Sequence, residues 1–369
     1  MIKENKIIIR SISSLCIILS IFALWLYYIS YMPSVFEDND FELCTLPLPK
    51  EYPNSWTHAS VEYVKDSVNG YQYFFACTPY PNYNDKYENP MFYYANARNG
   101  NIPPKDFIAY SGNPLQEVPD GGYNSDPDVA YLDSFLFVLN RIYIKHRAEK
   151  ATIQKCRVTE GVFNFDSPVL IYDSEQNPKH FGLGDYTPTL ISPSIIKYKN
   201  ELRCYQLATN SYNDNSDCKG LIVMKGNNPN LDHSFSLEKI GKIDMPECAK
   251  PWHIDVFQYQ GKLYAIICAY IHPNKYILKI PFLRRFYLKE RYCIQYLAVS
   301  NDGINFKAYK KPLTSINSYR SSAFIREDGM FVLYISTLAY RPKGDVSVDG
   351  RNIMVAYKPF DKILDLLNN

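Results

Sequence analysis

The sequence predicts an all-β protein: a five-bladed β-propeller with an N-terminal transmembrane helix. Short apolar strands separated by Gly, Asn, Asp and Pro run from Trp56 to about residue 360, with no long amphipathic helix between them. Strands at that density, bounded by turn residues, indicate a sandwich, barrel or propeller. Tyr 33 and Phe 20 are high counts for residues that suit pleated, half-buried surfaces. Most telling is a five-fold repeat. His58-Ala59-Ser60, Asp126-Pro127-Asp128, Ser192-Pro193-Ser194, His253-Ile254-Asp255 and Arg320-Ser321-Ser322 each place two polar residues around one spacer, then run into an apolar hairpin. The copies recur roughly every 60–70 residues, room for about four strands each, which is the unit of a propeller blade.

The chain divides into three parts. Lys3, Lys6 and Arg10 precede an uncharged apolar run from Ile12 to Met32, about the length that crosses ~30 Å of hydrocarbon as a helix. Positive charge before the span keeps the N-terminus cytoplasmic and sends the rest outside. No small-x-small cleavage site follows the run, so residues 1–32 are expected to be an uncleaved signal anchor. Trp25, Tyr27, Tyr28 and Tyr31 stand toward its outer end, where amphipathic rings favour the interface. Residues 33–50, acidic and then Pro-rich, form a tether and a possible ring-closing strand. Residues 51–369 form the propeller. The expected location is a single-pass membrane protein of a bacterial envelope, consistent with the absence of any Asn-x-Ser/Thr sequon. A net charge of +2 supplies no field for nucleic acid.

The blades follow in order. VEYV and YQYFFAC pair across Asn69-Gly70, with MFYYANA as a third strand; VAYL, FLFVLNR and TIQKCRV form the second blade. IIKYKN, ELRCYQLA and GLIVMKG form the third, and VFQYQ, KLYAIICA, YCIQYLAVS and FKAY the fourth. The fifth has AFIRED, MFVLYIS and NIMVAYKP but lacks a fourth strand, which Leu43 to Leu48 are placed to supply. Closing the ring in this way removes an open sheet edge. Between Ala269 and Tyr292 a basic, apolar stretch elongates the fourth blade's hairpin, as a solvated extension, a rim loop or a membrane-facing patch. Eight cysteines follow the span, an even number that permits disulfides outside the cytoplasm, and Cys268 and Cys293 flank one hairpin. No Cys-x-x-Cys occurs, so no structural zinc is expected, nor any other metal or cofactor.

In a propeller the innermost strand of each blade lines the axis. Alternation along an uninterrupted strand would put both polar positions of each repeat on one face. His58, Asp126, Asp128, Ser192, His253, Asp255 and Arg320 are therefore expected at one mouth of the tunnel. Glu88, Asp185 and Tyr186 sit in loops that reach the same mouth, and Arg141 ends a neighbouring strand. Asp126, Asp255 and Glu88 are the candidate catalytic carboxylates, since glycoside hydrolysis needs one group to give a proton and one to take it or attack. His58, Asp128, Asp185, Tyr186, Ser192, Trp252, His253 and Arg320 are the candidate substrate-binding residues. Cationic His253 and Arg320 would suit an anionic group, and aromatic rings such as Trp56, Tyr80, Tyr186 and Trp252 would stack on sugars.

From residue 50 to 360 the chain resembles the five-bladed propeller enzymes of glycoside hydrolase families 43 and 32, the arabinanase and levansucrase type. The resemblance rests on the blade period, on Ser125-Asp126-Pro127-Asp128, on the strand-turn pairs QYQGKLYAII and IREDGMFVLY, and on Ser300-Asn301-Asp302-Gly303-Ile304-Asn305-Phe306. It implies an Asp base on the first inner strand, an Asp modulator on the second and a Glu acid on the third. Asp126 matches the second position, while His58 and Ser192 occupy the first and third. The expectation is a divergent glycosidase-like protein acting on an extracytoplasmic carbohydrate. A non-catalytic glycan-binding propeller in surface polysaccharide assembly and a phosphate-dependent glycoside phosphorylase are the alternatives.

Overall fold

The computed structural model describes residues 33–99, 101–144, 148–173, 189–209, 218–226, 235–247, 249–271, 293–339 and 344–368, with isolated positions 20 and 342. Its N-terminal part contributes β1 (Glu42–Leu43). The first blade comprises β2 (Trp56–Val68), β3 (Tyr71–Pro79), β4 (Met91–Ala95) and β5 (Ile108–Ala109). The second has β6 (Gly122–Leu132), β7 (Phe135–Ile144), β8 (Ala148–Thr159), β9 (Val162–Phe165) and β10 (Val169–Asp173). The third has β11 (Thr189–Tyr198), β12 (Glu201–Thr209), β13 (Cys218–Gly226) and β14 (Phe235–Gly241). In the fourth, β15 (Ile243–Asp244), β16 (Ala249–Tyr259), β17 (Lys262–Ile271), β18 (Cys293–Ser300) and β19 (Phe306–Ala308) associate. The fifth has β20 (Ser322–Ile325), β21 (Met330–Ser336) and β22 (Ile353–Pro359), followed by α1 (Phe360–Asn368).

In each sheet the strands meander outward from the innermost, with β15 added in parallel to β19 at the outer edge of the fourth, and the five together make the five-bladed propeller. β1 pairs antiparallel with β22, Glu42 opposite Val355, and completes the fifth blade. This is the ring closure read from the sequence, placed at the start of the segment named for it. The described clusters of buried apolar residues follow the blade junctions. Val64, Phe74 and Phe92 meet Val129, Leu136 and Val138 between the first two blades. Phe75 and Tyr93 meet Val332 and Tyr334 where the last blade meets the first. Apolar residues on both faces of the inner strands therefore build the core, and polar residues are left to the axis.

Two local devices fix neighbouring blades. Asp302 accepts hydrogen bonds from the backbone of Ile304 and Asn305 at 2.8 Å each, which turns the chain sharply after β18. Gly303 follows at φ 75°, and its carbonyl accepts a 2.8 Å bond from Tyr205 of the third blade. A Cβ there would lie 2.4 Å from Arg203 Nη1 and 3.0 Å from the Tyr198 ring, so only glycine fits.

Three expectations meet the structure differently. Among the described residues Cys44, Cys77, Cys156, Cys204 and Cys268 are free thiols. Cys268 stands opposite Gln295, and Cys293 opposite Tyr270, so the register keeps this pair from facing each other. α1, packed through Phe360, Ile363 and Leu367, was not foreseen. Among the described residues no helix is long and apolar enough to cross a membrane. The expected span lies almost wholly outside those residues, as does the basic stretch 272–292.

Candidate functional site: a buried His-Asp-His cluster above an interblade ring

The inner strands do not alternate without interruption. The register of β2 against β3 shifts between Thr57 and Ser60, that of β6 against β7 between Ser125 and Asp128, and that of β11 against β12 between Ile191 and Ser194. At each shift the first polar residue takes a positive φ: 57° at His58, 51° at Asp126 and 54° at Ser192. Such backbone is unfavourable for residues with a Cβ and concentrates at sites held by their surroundings. In the fourth blade the shift comes earlier, between Pro251 and His253. The consequence is a separation: the first and second polar positions of each repeat do different work.

The second positions form a closed ring of hydrogen bonds. Ser60 Oγ accepts from the Val129 amide at 3.0 Å, and Asp128 Oδ2 from the Ile195 amide at 2.8 Å. Ser194 Oγ accepts from Val256 at 2.9 Å, Asp255 Oδ2 from Ala323 at 3.4 Å, and Ser322 Oγ from Val61 at 3.0 Å. Each side chain thus caps the amide one residue past its counterpart in the next blade, and the fifth returns to the first. Arg320, with no exposed surface, sits across this ring. Its Nη1 donates to the Pro127 carbonyl at 2.6 Å, and its Nη2 to the Pro193 carbonyl and Asp128 Oδ1 at 2.9 Å each. Asp255 Oδ1 lies 3.8 Å away. The structure therefore places Asp128, Asp255 and Arg320 inside the scaffold, with Arg320 bonded to protein carbonyls.

The first positions other than Arg320 gather in one buried cluster. His58 Nε2 lies 3.2 Å from Asp126 Oδ1, and His253 Nδ1 lies 3.4 Å from the same oxygen. His253 Nδ1 also meets Ser192 Oγ at 2.5 Å, while the Ser192 amide donates to Asp126 Oδ2 at 3.3 Å. The other nitrogen of His58 is taken by Thr78 Oγ1 at 2.9 Å and by Glu88 Oε1 at 3.3 Å. Arg141 Nη1 stands 3.7 Å from Asp126 Oδ2. The Tyr319 ring lies against both imidazoles, 4.3 Å from His253 and 5.0 Å from His58 between centroids. Trp252 donates from Nε1 to the Tyr319 hydroxyl at 2.9 Å.

Burial controls the charges here. Desolvation lowers His58 to about 4 and moves His253 in the same direction, so both imidazoles are neutral at pH 7. Burial alone would raise Asp126, but the cluster holds its carboxyl well below the usual range. With the imidazoles neutral, Arg141 and Arg320 supply the lasting part of that effect. Glu88 goes the other way, raised well above the ordinary carboxylate range by desolvation and by Asp126.

Two neutral imidazoles and a carboxylate are a metal-ligand set, although the sequence led us to expect no metal. One donor atom each from His58, Asp126 and His253 lies within 4.8 Å of the others, and all three residues are buried. Donors about 2.0–2.2 Å from a common ion lie about 3–3.6 Å apart, which matches the 3.2 and 3.4 Å separations. Asp126 Oδ1 is buried without a hydrogen-bond partner among the described residues, a costly arrangement unless something else binds there; His253 reaches it through Nδ1, which Ser192 Oγ also meets, and its unpartnered nitrogen is the other one, Nε2. The Thr78 and Glu88 contacts at the far nitrogen of His58 are the outer partners that orient a ligating imidazole. The residues fit a divalent ion.

Of the sequence candidates, His58, Glu88, Asp126, Ser192, Trp252 and His253 come together, as does the weaker candidate Arg141. Asp185 and Tyr186 lie outside the described residues. Thr78 and Tyr319 were missed. Tyr319 directly precedes the Arg320 repeat copy, which was the one available signal.

No family model matches the chain, and no curated relative matches it. Solved structures do. An N-acetylgalactosamine deacetylase from F. plautii, determined with blood group B trisaccharide, superposes with a TM-score of 0.60 at 16% identity, covering 91% of this chain and 97% of that one. A xylan β-1,4-xylosidase from Bacillus halodurans C-125 gives 0.57 at 11% identity, covering 84% of this chain and 54% of that longer one. An endo-arabinase from Bacteroides thetaiotaomicron VPI-5482 gives 0.53 at 10% identity, covering 83% and 95%. At these identities the likeness is one of fold: the chain shares its five-bladed propeller with glycoside hydrolase family 43-type enzymes and with a sugar deacetylase.

Proposed function

We propose that this protein is a carbohydrate-active hydrolase that removes an acyl group from an amino sugar, using a divalent ion held by His58, Asp126 and His253. The observation that carries this reading is the donor set itself, two neutral imidazoles and an anionic carboxylate with one donor atom each within 4.8 Å of the others, where Asp126 Oδ1 has no hydrogen bond and a bound ion would take the place of Ser192 Oγ at His253 Nδ1. A divalent ion supplies Lewis acidity and a nucleophile at neutral pH. Glu88, raised well above the ordinary carboxylate range by desolvation and by Asp126, stays with Thr78 at the outer nitrogen of His58 and would orient that imidazole toward the ion. Water adds to the carbonyl carbon, the C–N bond breaks, and the products are a carboxylate and a free amino sugar. Thr78 holds the outer edge of His58, and Tyr319 and Trp252 wall the cluster from bulk water.

The glycosidase reading is less well supported, because Glu88 and Asp126 contact opposite nitrogens of one imidazole. The two carboxylates then do not flank a common gap, as a glycosidic bond requires. The phosphorylase reading needs Arg320 free for phosphate, whereas its guanidinium bonds two carbonyls and Asp128. The fold likeness to the F. plautii deacetylase supports an N-acetylated sugar as the first substrate to try.

The test is to measure acetate and reducing ends in parallel on N-acetylhexosamine glycans, with and without chelator. Chelator-sensitive acetate release is expected. Reducing ends released at the same rate with chelator present would overturn the reading. The uncharged N-terminal run supports a single-pass anchor with the propeller outside a bacterial cytoplasm, and digestion of the propeller by protease added to intact cells is the expected result.

A further inference from the structure

We propose that Tyr83, seated on Arg351, is a second sugar-binding subsite that grips a glycan beyond the ring at the metal cluster; the proposal rests on the carbohydrate-directed reading above. β3 ends beside the cluster, where Thr78 meets His58, and β21 ends at Ser336, which bonds the Trp56 carbonyl, so the described residues that follow them, 80–90 and 344–352, lie beside the site. The blades carrying them are neighbours at the ring closure, and the loops are tied together. The Asn82 amide donates to Asp349 Oδ2 at 2.7 Å, and the Val348 amide to the Asn54 carbonyl at 2.8 Å.

Arg351 is buried and paired with Asp349. Its guanidinium lies 4.1 Å from the centre of the Tyr83 ring and 5.4 Å from that of Tyr80. Tyr80 meets Tyr83 edge-on at 6.0 Å. The Tyr83 ring is thus held from below and from the side, yet the residue is 70% exposed. An aromatic ring fixed in place with one open face loses little freedom on binding, and it matches the apolar face of a pyranose. Asn82 and Tyr83 both take positive φ, 51° and 60°, so the loop pays in backbone strain to present the ring outward.

The shelf belongs to the same mouth as the cluster. Glu88, in contact with His58, is five residues from Tyr83 on one loop, a span of at most about 18 Å. A glycan of a few sugars can therefore lie across both.

The experiment is an array of immobilised mono- to hexasaccharides ending in N-acetylhexosamine, probed with the wild-type protein, Asp126→Asn, Tyr83→Ala and Tyr83→Trp. Wild type and Asp126→Asn should prefer longer glycans. Tyr83→Ala should lower the ratio of long-chain to monosaccharide affinity about five- to tenfold, and Tyr83→Trp should restore it. A length preference that survives Tyr83→Ala, or no length preference in the wild type, overturns the subsite and leaves the metal reading standing. No glycan binding by the wild type overturns the subsite together with the carbohydrate reading. Titration of the same proteins with Zn2+ and Mn2+ separately reports whether the cluster binds metal.

Discussion

The two polar positions of each repeat make an instructive comparison. The second positions, Ser60, Asp128, Ser194, Asp255 and Ser322, obey the five-fold order: each accepts from the next blade's amide, and the side chains are small acceptors throughout. The first positions, His58, Asp126, Ser192, His253 and Arg320, share a place in the repeat but differ in chemistry. Three of them, from blades one, two and four, converge on a single point. Regularity marks the set that holds the ring together, and departure from it marks the set that does chemistry. Arg320 is the exception that joins them, a first-position residue drawn down beside two second-position carboxyl groups, of which burial and the neighbouring Asp128 raise Asp255 well above the usual carboxylate range.

Substitutions can break this division. The largest effect is expected from Asp126→Asn, which keeps the shape but removes the anionic ligand. Bound metal should be lost and turnover should fall about 1000-fold or more, the several kcal/mol a Lewis acid supplies. Metal stoichiometry measured beside the rate checks both. Asp128→Ala should leave the cluster's donors in place yet destabilise the fold by about 2–3 kcal/mol, since it removes the acceptor of the Ile195 amide and the nearer carboxylate of Arg320, leaving Asp255 at 3.8 Å to pair with the guanidinium. A urea denaturation midpoint reads this directly. If Asp128→Ala proved harmless to stability, the ring would not be a structural device.

A pH titration sharpens the same contrast. Burial lowers His58 from 6.5 to about 4, so over that window the unfolded chain takes up a proton that the folded chain refuses. Stability of the metal-free protein should be complete above pH 6.5 and fall as pH drops toward 4, by about 3 kcal/mol from this group. Thermal unfolding across pH 4 to 7 tests it, with His58→Gln expected to flatten the slope. The smallest effect should come from Ser322→Ala, which removes the acceptor of the Val61 amide and the hydroxyl that donates to Asp255 Oδ2 at 2.8 Å. About 1 kcal/mol is expected, with metal binding unchanged.

Much of the architecture was legible because a blade is a local object. A hairpin such as β16–β17 carries its turn at Gly261 and its apolar faces within about twenty residues, so spacing alone revealed five copies. Pooling the polar residues was also sound as far as the first positions go. The pooling failed where alternation was assumed. His58, Asp126 and Ser192 adopt positive φ, yet none is glycine or asparagine, so nothing local announced the bulges. The metal donors escaped notice because they come from three blades. Ligand motifs are recognisable only when their spacing is short and fixed, and here the fold supplies the spacing. Arg320 reads as an anion ligand in isolation, and only the carbonyls of Pro127 and Pro193 reveal its partners.

The latch between β1 and β22 has a consequence for how the chain reaches its native state. Glu42 and Leu43 pair with Val355 and Met354, more than three hundred residues away, so the earliest described strand is the last to find its partner. Such a contact cannot reward the chain until nearly all of it has been made, and its loop-closure entropy is met late. Until then β22 presents an open edge. Closure is therefore expected late in folding, and a chain truncated before Ile353 would have no β22 for β1 to pair with.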